Sequence, residues 1–367
     1  MNVESLKNLN IAFSHDWLTG MRGGERVLET LCSIFPHAPV YTLFYNKKAI
    51  SDIINKRTIK TSFLQYLPGI FSYYRNFLPL FPLAVKTLGT PEADIIISLS
   101  HCVAKGIPTN GKIHLCYCFT PMRYAWLFHN EYFGNNPLRI FLIKPLIAFL
   151  QKWDIATARQ VTKFIAISKT VRDRIYNFYG VKADVIYPPV NTDFYTPGEY
   201  QKAGNFDLIV SAFVPYKRID LAVKAYTQYG YSLKIVGKGP QLKKLQRIAS
   251  SNIEFLGWRS DEEIRELYRK CRLLVFPGEE DFGIVPVEAQ ACGKPVVAFG
   301  KGGLLETIID GKTGVFFYEQ NPTSLINAVK HCSSLKFSPQ EIRQQAEKFS
   351  KERFINEFCS LLLRHLK

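Results

Sequence analysis

Residues 271–306 read CRLLVFPGEEDFGIVPVEAQACGKPVVAFGKGGLLE, and the fold is decided in this stretch. The apolar run Leu273 to Phe276 predicts a buried strand that leads into a Pro-Gly-acid turn. A short helix follows, Val287 to Ala291, with Pro286 near its first turn and Gly293 just past its end. A second apolar strand, Pro295 to Ala298, then enters a Gly302-Gly303 loop. Strand–loop–helix ends of this kind offer backbone N–H groups and the positive end of a helix to an anion. Glu280 and Glu288, eight positions apart, can accept hydrogen bonds from hydroxyls beside that anion. Phosphate next to hydroxyls is the chemistry of a sugar nucleotide. A surface-charged helix in any α/β domain is the competing reading of one glutamate pair, and it weakens once Phe282-Gly283 and the later glycines are counted.

Outward from this stretch, strands and helices alternate. Upstream in the same half, strands are expected at Leu208–Ser211, Ser232–Val236 and Ile253–Leu256, and downstream at Gly314–Phe316. Helices are expected at Ile219–Gln228, Gln241–Ala249, Asp261–Lys270 and Leu304–Ile309, with a final amphipathic one from about Lys351 to Leu366. The first half repeats the pattern: strands at Ile11–Ser14, Val40–Leu43, Asp94–Leu99, Ile113–Tyr117, Lys163–Ile167 and Asp184–Ile186, and a helix at Glu25–Phe35. Such alternation implies parallel sheets covered on both faces. Tyr187-Pro188-Pro189-Val190-Asn191 interrupts it, and two prolines there predict a linker or hinge. We therefore divide the chain into residues 1–190, a linker 191–205, residues 206–346 and a last helix 347–367.

At 367 residues the chain is comfortable for two cores. No run of about 20 uninterrupted apolar residues predicts a membrane span. The opening MNVESLKNLN lacks an apolar signal core, so the expected compartment is the cytoplasm. Eight cysteines fit that compartment as reduced, buried thiols, and the absence of a CxxC pair predicts neither zinc nor a redox site. The formal charge of +16 asks for an anionic partner. Residues 53–91 and 132–153 hold no acid and interleave basic residues with aromatics. Lys56, Arg57, Lys60, Arg75 and Lys86 stand among Phe63, Tyr66, Phe71, Tyr73, Tyr74, Phe77 and Phe81; Arg139, Lys144 and Lys152 stand among Phe133, Phe141, Phe149 and Trp153. That mixture suits an anionic lipid surface, with an aromatic core as the even alternative. Nucleic acid is disfavoured, since no helix-turn-helix, RNP-like or zinc-finger pattern occurs.

Several further residues could carry chemistry. Gly23-Gly24 opens a helix after the first strand, where glycine permits close approach of an anion. Gly237-Lys238-Gly239 lacks the third glycine of a dinucleotide fingerprint. Lys217-Arg218 lies in SAFVPYKRID. His15-Asp16 and His101 follow strands, where structural histidines are the competing reading. Arg123, Tyr124 and Trp126 in CYCFTPMRYAW suit a sugar or phosphate, or equally an aromatic core. No Asp-x-Asp pair exists to hold a metal-bound diphosphate.

Glu280-Asp281-Phe282-Gly283-Ile284 through Glu288-Ala289 resembles the Glu-x7-Glu signature of retaining glycosyltransferases of family four. The wider pattern from Gly257-Trp258 to Gly303 is most similar to the branch that adds mannose or related sugars to bacterial surface polysaccharides. The resemblance implies the GT-B fold: two facing Rossmann-like domains, with a last helix returning to the first. It implies that Lys217 contacts the donor diphosphate, that Glu280 meets the sugar hydroxyls and Glu288 the ribose, and that the backbone of Phe282, Gly283 and Ile284 touches the sugar. Gly24, Gly237 and Arg218 complete the implied donor site; Asp16, His101, Arg123 and Tyr124 are the expected acceptor residues. Two departures stand out: Ala212 occupies a position often held by a phosphate-binding arginine, and Phe119 one often held by histidine. The expected function is metal-independent transfer of a sugar, mannose from GDP-mannose by resemblance, to a lipid-linked saccharide at an anionic membrane face, without a cofactor. A nucleotide-sugar epimerase of the same fold and a non-catalytic sugar-nucleotide-binding protein are the alternatives.

Overall fold

A computed structural model describes residues 9–127, 137–198 and 204–365. The chain forms two compact units, Met1–Pro189 with Phe354–Lys367, and Val190–Arg353. Each is a Rossmann-like α/β unit on an all-parallel sheet.

The first sheet has seven strands: β1 Ile11–His15, β2 Val40–Thr42, β3 Ile59–Thr61, β4 Ile95–Ser100, β5 Ile113–Cys118, β6 Lys163–Ala166 and β7 Ala183–Val185. Their order is β3-β2-β1-β4-β5-β6-β7. β1 and β4 are buried along their whole length, which is why they read as near-continuous apolar runs. In register, Ile11, Phe13 and His15 of β1 lie beside Ile95, Ile97 and Leu99 of β4. The chain lays down β1, β2 and β3 to one side and then resumes at β4 on the other. The order reverses between β1 and β4, the place where open parallel sheets leave a crevice beyond their strand ends.

The second sheet contains β8 Asp207–Val210, β9 Leu233–Val236, β10 Ile253–Gly257, β11 Leu274–Phe276, β12 Val296–Phe299 and β13 Gly314–Phe317. Its order is β10-β9-β8-β11-β12-β13, with the reversal between β8 and β11. Ile209, Ile235, Val275 and Val297 from the strands pack with Leu221, Tyr226, Leu325 and Val329 from helices Ile219–Tyr229 and Pro322–Ser334. Asp207, fully buried at the start of β8, accepts two hydrogen bonds from the Arg272 guanidinium (2.9 and 2.8 Å) and one from the Tyr226 hydroxyl (2.7 Å). Its burial is thereby compensated.

Several elements go beyond those named from the sequence, and three of them show why. β3 is short, partly exposed and at a sheet edge, so Ile59-Lys60-Thr61 carries little apolar signal. Helices Pro322–Ser334 and Pro339–Glu347 do carry a legible start: Asn321 and Ser338 cap them, each followed by proline. In the C-terminal helix Lys351–His365, residues from Phe354 onward belong to the first unit. Phe354 and Phe358 are fully buried and meet the Tyr117 ring edge-on at 5.8 and 6.3 Å.

The two acid-free segments divide between core and surface. Phe81 is buried, and Phe63, Tyr74 and Phe77 pack against the same core, whereas Tyr66 (82 % exposed), Phe71 and Tyr73 (65 %) are open to solvent. On helix Pro137–Ala158, Leu150 is buried and Trp153 packs on the core, while Phe141 and Phe149 are exposed. Phe133 and the Arg139 side chain lie outside the described residues. No described helix is long and apolar enough to cross a membrane.

Candidate functional site

At the reversal in the second sheet, the loops after β8 and β11 supply Lys217 and Glu280. Lys217 ends a 3-10 turn, Pro215–Lys217, and its ammonium is ion-paired with the Glu280 carboxylate. Both side chains are about one-sixth exposed (16 and 17 %), open enough for a ligand to compete for either. The ammonium also rests 5.5 Å from the Tyr216 ring centre and 5.3 Å from that of Phe276. Glycines make the approach possible. A Cβ at Gly278 would fall 2.8 Å from the Lys217 Cα, and one at Gly302 would fall 2.4 Å from the Glu280 carbonyl oxygen. The Gly303 N–H donates to that same oxygen at 2.8 Å, so the glycine pair holds the acid turn in place.

The helix after this turn runs Ile284–Ala291, three residues earlier than Val287, because Gly283 at φ 95° turns the chain into it. Asp281 lies ahead of the helix and is buried. The Phe282 ring is buried against Phe349, so at this step the loop offers backbone only. Glu288 lies within the helix and accepts a hydrogen bond from the Tyr268 hydroxyl at 3.1 Å. Burial, with the Glu288 charge beside it, pushes that phenol's pKa well up, so Tyr268 remains a donor. Arg218, at φ 52°, is held by Gln320 Oε1 (2.6 Å) and Asp220 (3.5 Å) rather than joining the Lys217–Glu280 pair. Ala212 is exposed in the β8 loop. That loop is pressed against the Gly237-Lys238-Gly239 turn, where a Cβ on Gly237 would fall 1.8 Å from the Ser211 carbonyl oxygen.

At the reversal in the first sheet, the loops after β1 and β4 meet around Asp16. Oδ2 accepts the N–H groups of His101 (2.7 Å) and Cys102 (3.0 Å); Oδ1 accepts those of Val103 (2.6 Å) and Ala104 (2.7 Å). The His101 ring adds Nδ1 at 2.9 Å. Burial pushes this carboxyl's pKa up, but His101 and the backbone N–H at that position outweigh it and hold it well below the usual range. Asp16 is therefore saturated by protein donors. His15 is buried, its Nδ1 on the Trp17 carbonyl oxygen at 3.0 Å, and burial lowers its pKa to about 4. Gly24 lies inside helix Gly23–Ile34, which starts two residues ahead of Glu25. A Cβ on Gly24 would come within 3.2 Å of the Phe119 ring and 3.4 Å of His15 Nε2. Glu25 is buried, accepts from the Arg22 N–H (3.2 Å), and has its pKa raised by burial. Arg123 opens the short helix Arg123–Trp126 beyond β5. Tyr124, 8 % exposed, belongs to the hydrophobic core, the alternative weighed for it from sequence.

One buried network is absent from the sequence expectation. Lys105, after β4, is ion-paired with Asp154 of helix Pro137–Ala158, and both are buried. Asp154 also accepts from Trp126 Nε1 (2.8 Å) and the Tyr179 hydroxyl (2.6 Å). Burial alone would lower the lysine pKa; Asp154 reverses the direction and raises it. The available signal was Lys105 within CVAKGI and Asp154 within LQKWDIATA, charges set among apolar residues. All eight cysteines are free and buried. Among the described residues no group of three or more His, Cys, Asp or Glu is placed to hold a metal ion.

Residues 198–350 match the family model described as "Glycosyl transferases group 1". An uncharacterized glycosyltransferase of Methanocaldococcus jannaschii is 35 % identical over 208 residues, covering 55 % of this chain and 58 % of that protein. The D-inositol 3-phosphate glycosyltransferase of Mycobacterium leprae is 31 % identical over 180 residues, 43 % of this chain and 42 % of that one. The chain thus spans about half the length of these curated relatives. Among solved structures, Anabaena HepE in complex with UDP is similar over 97 % of this chain and 100 % of its own, with a TM-score of 0.71 at 17 % identity. The apo form of the lipopolysaccharide outer core galactosyltransferase WaaB is similar over 97 and 99 %, with a TM-score of 0.67 at 17 % identity. Both likenesses concern the fold.

Proposed function

We propose that this chain is a metal-independent retaining glycosyltransferase whose second unit holds a nucleotide-sugar donor. The observation that carries this is the meeting of Lys217 and Glu280 at the β8/β11 reversal, where parallel sheets bind ligands. A diphosphate would take the Lys217 ammonium, which then stabilises the charge growing on the departing phosphate. Glu280, released from the lysine, would accept hydrogen bonds from the sugar. Glu288 and the Gly283 turn sit one step further along the same element for the ribose and the backbone contacts. Retention needs no carboxylate nucleophile here: positioning and electrostatics suffice when the acceptor attacks from the face the phosphate leaves.

GDP-mannose is the first donor to try, by sequence resemblance, and UDP-glucose the second, because HepE was solved with it. A lipid-linked saccharide acceptor at an anionic membrane face is supported by charge placement. The first unit carries 24 Lys and Arg against 12 Asp and Glu, and the second 23 against 19, so +12 of the +16 belongs to the first. Tyr66, Phe71, Tyr73, Phe141 and Phe149 are exposed on that same unit.

The test is calorimetry with a panel of nucleotide sugars, followed by nucleoside diphosphate release in excess chelator. Lys217→Ala should keep its melting temperature and lose turnover about a hundredfold, the scale of one transition-state donor. No donor binding across the panel, or a strict need for magnesium or manganese, would overturn the reading.

A further inference from the structure

We propose that His101 is the residue that holds the acceptor's reacting hydroxyl, through Nε2, and that Asp16 is a positioning residue that never touches the acceptor. The proposal rests on the glycosyltransferase reading and assigns a division of labour within the first unit's crevice. It begins with hydrogen-bond capacity. An ionised carboxylate offers about four lone-pair positions. The N–H groups of His101, Cys102, Val103 and Ala104 already occupy Asp16 at 2.6 to 3.0 Å. The loop after β4 is thus anchored by its backbone, and the His101 ring is not needed to close it.

The ring is nevertheless fixed. Nδ1 lies 2.9 Å from Asp16 Oδ2, and the Trp17 ring meets the imidazole edge-on at 4.6 Å. Trp17 is itself buried and stacked on Phe44 at 6.2 Å. A polar ring clamped by buried neighbours, yet with 30 % of its side chain exposed at a sheet reversal, is arranged for a ligand rather than for the core.

The partner decides which way the ring acts. Asp16 only accepts, so Nδ1 carries the hydrogen and Nε2 of the neutral ring presents a lone pair. A hydroxyl that donates to Nε2 is held at one end, and its own lone pairs stay free for the bond being made. The ionisable groups around the ring are Asp16, His15 and Glu25, with Arg22 beside Glu25. A hydrogen on Nε2 would turn it into a donor and abolish this grip.

The decisive variant is His101→Asn. The asparagine amide reproduces the donor to Asp16 and deletes Nε2. With a donor that binds and octyl mannoside as the acceptor probe, this variant should keep its melting temperature and its nucleoside diphosphate affinity. It should lose about a hundredfold in turnover, mainly in kcat rather than in KM. His101→Gln, which loses the Asp16 contact, should be no more active. Turnover of His101→Asn within about threefold of the parent would show that the ring serves only the fold. Side-chain nitrogen NMR of the parent gives a readout independent of turnover. Nε2 unprotonated at neutral pH supports the assignment; both nitrogens protonated across the active range overturns it in favour of an anion-binding histidine. Failure of donor binding, by contrast, indicts the second unit's assignment.

Discussion

The two units use one topology for opposite ends. Each sheet reverses its strand order once, and each gathers its polar residues in the two loops at that reversal. In the second unit those residues are a partly open pair, Lys217 and Glu280, set in place by glycines that let backbones pass within van der Waals reach. In the first, Asp16 and His15 are buried, and the nearby Lys105–Asp154 pair is buried with them. A site that must exchange protein contacts for a ligand's keeps its charges accessible. A site that must aim one group spends its polar residues on holding that group still. The first unit also carries three times the net charge of the second, +12 against +4.

The largest expected effect tests whether buried charge holds the first unit together. Lys105→Met leaves Asp154 buried without its cation, although Trp126 and Tyr179 still donate to it. Breaking such a pair costs about 3–5 kcal/mol. Calorimetry should show the first unit's transition lowered and the second's unchanged. A loss under about 1 kcal/mol, the value of a surface pair, would erase the contrast between the units.

Acid should separate the units next. Burial lowers the pKa of His15 to about 4 and that of His114 to about 3. In the unfolded chain both titrate near 6.5. Between about 6.5 and 4 the unfolded state therefore binds protons that the folded state refuses, and stability falls as pH falls. Each buried histidine contributes on the order of 3 kcal/mol across that window. The second unit's single histidine, His331, is exposed, so that unit has no buried imidazole. Unfolding followed from pH 7 to 4 should destabilise the first unit selectively, and His114→Gln should flatten its curve. Parallel loss in both units would mean that general charge repulsion, not the buried rings, governs acid stability.

How much of this was legible in the sequence follows the same division. The central strands were readable because burial on both faces leaves continuous apolar runs such as Ile95–Leu99. The places of Lys217 and Glu280 beyond strand ends, and of Glu288 in the next helix, were readable because these residues stand in short local motifs. The first unit's site was only half readable. His15, Asp16 and His101 could be placed beyond strand ends, but the role of Asp16 depends on four N–H groups from residues 101–104, more than 80 positions away. Lys105 and Asp154 are 49 positions apart, and no periodicity joins them. Nor does spacing distinguish Tyr66, exposed, from Phe81, buried, since both stand in a run of short helical turns without a sustained period.

The smallest effect concerns the surface charge. If the first unit docks on anionic lipid, each basic residue near the surface contributes about 1 kcal/mol, falling off within a Debye length. Lys56 is exposed within the acid-free segment 53–91. Lys56→Gln should weaken partitioning onto anionic vesicles roughly fivefold, with little change in melting temperature or in turnover on a soluble acceptor. Tyr66→Ser, on the same segment, should weaken it by removing a ring suited to the headgroup level, and that loss should persist in high salt. The salt response tells the two contributions apart: the lysine's vanishes as ions screen it, and the tyrosine's does not. A lysine effect that survives high salt, or equal binding of the parent to neutral and anionic vesicles, would mean that the first unit's positive charge serves something other than a membrane. The exposed aromatics would then have to be explained without one.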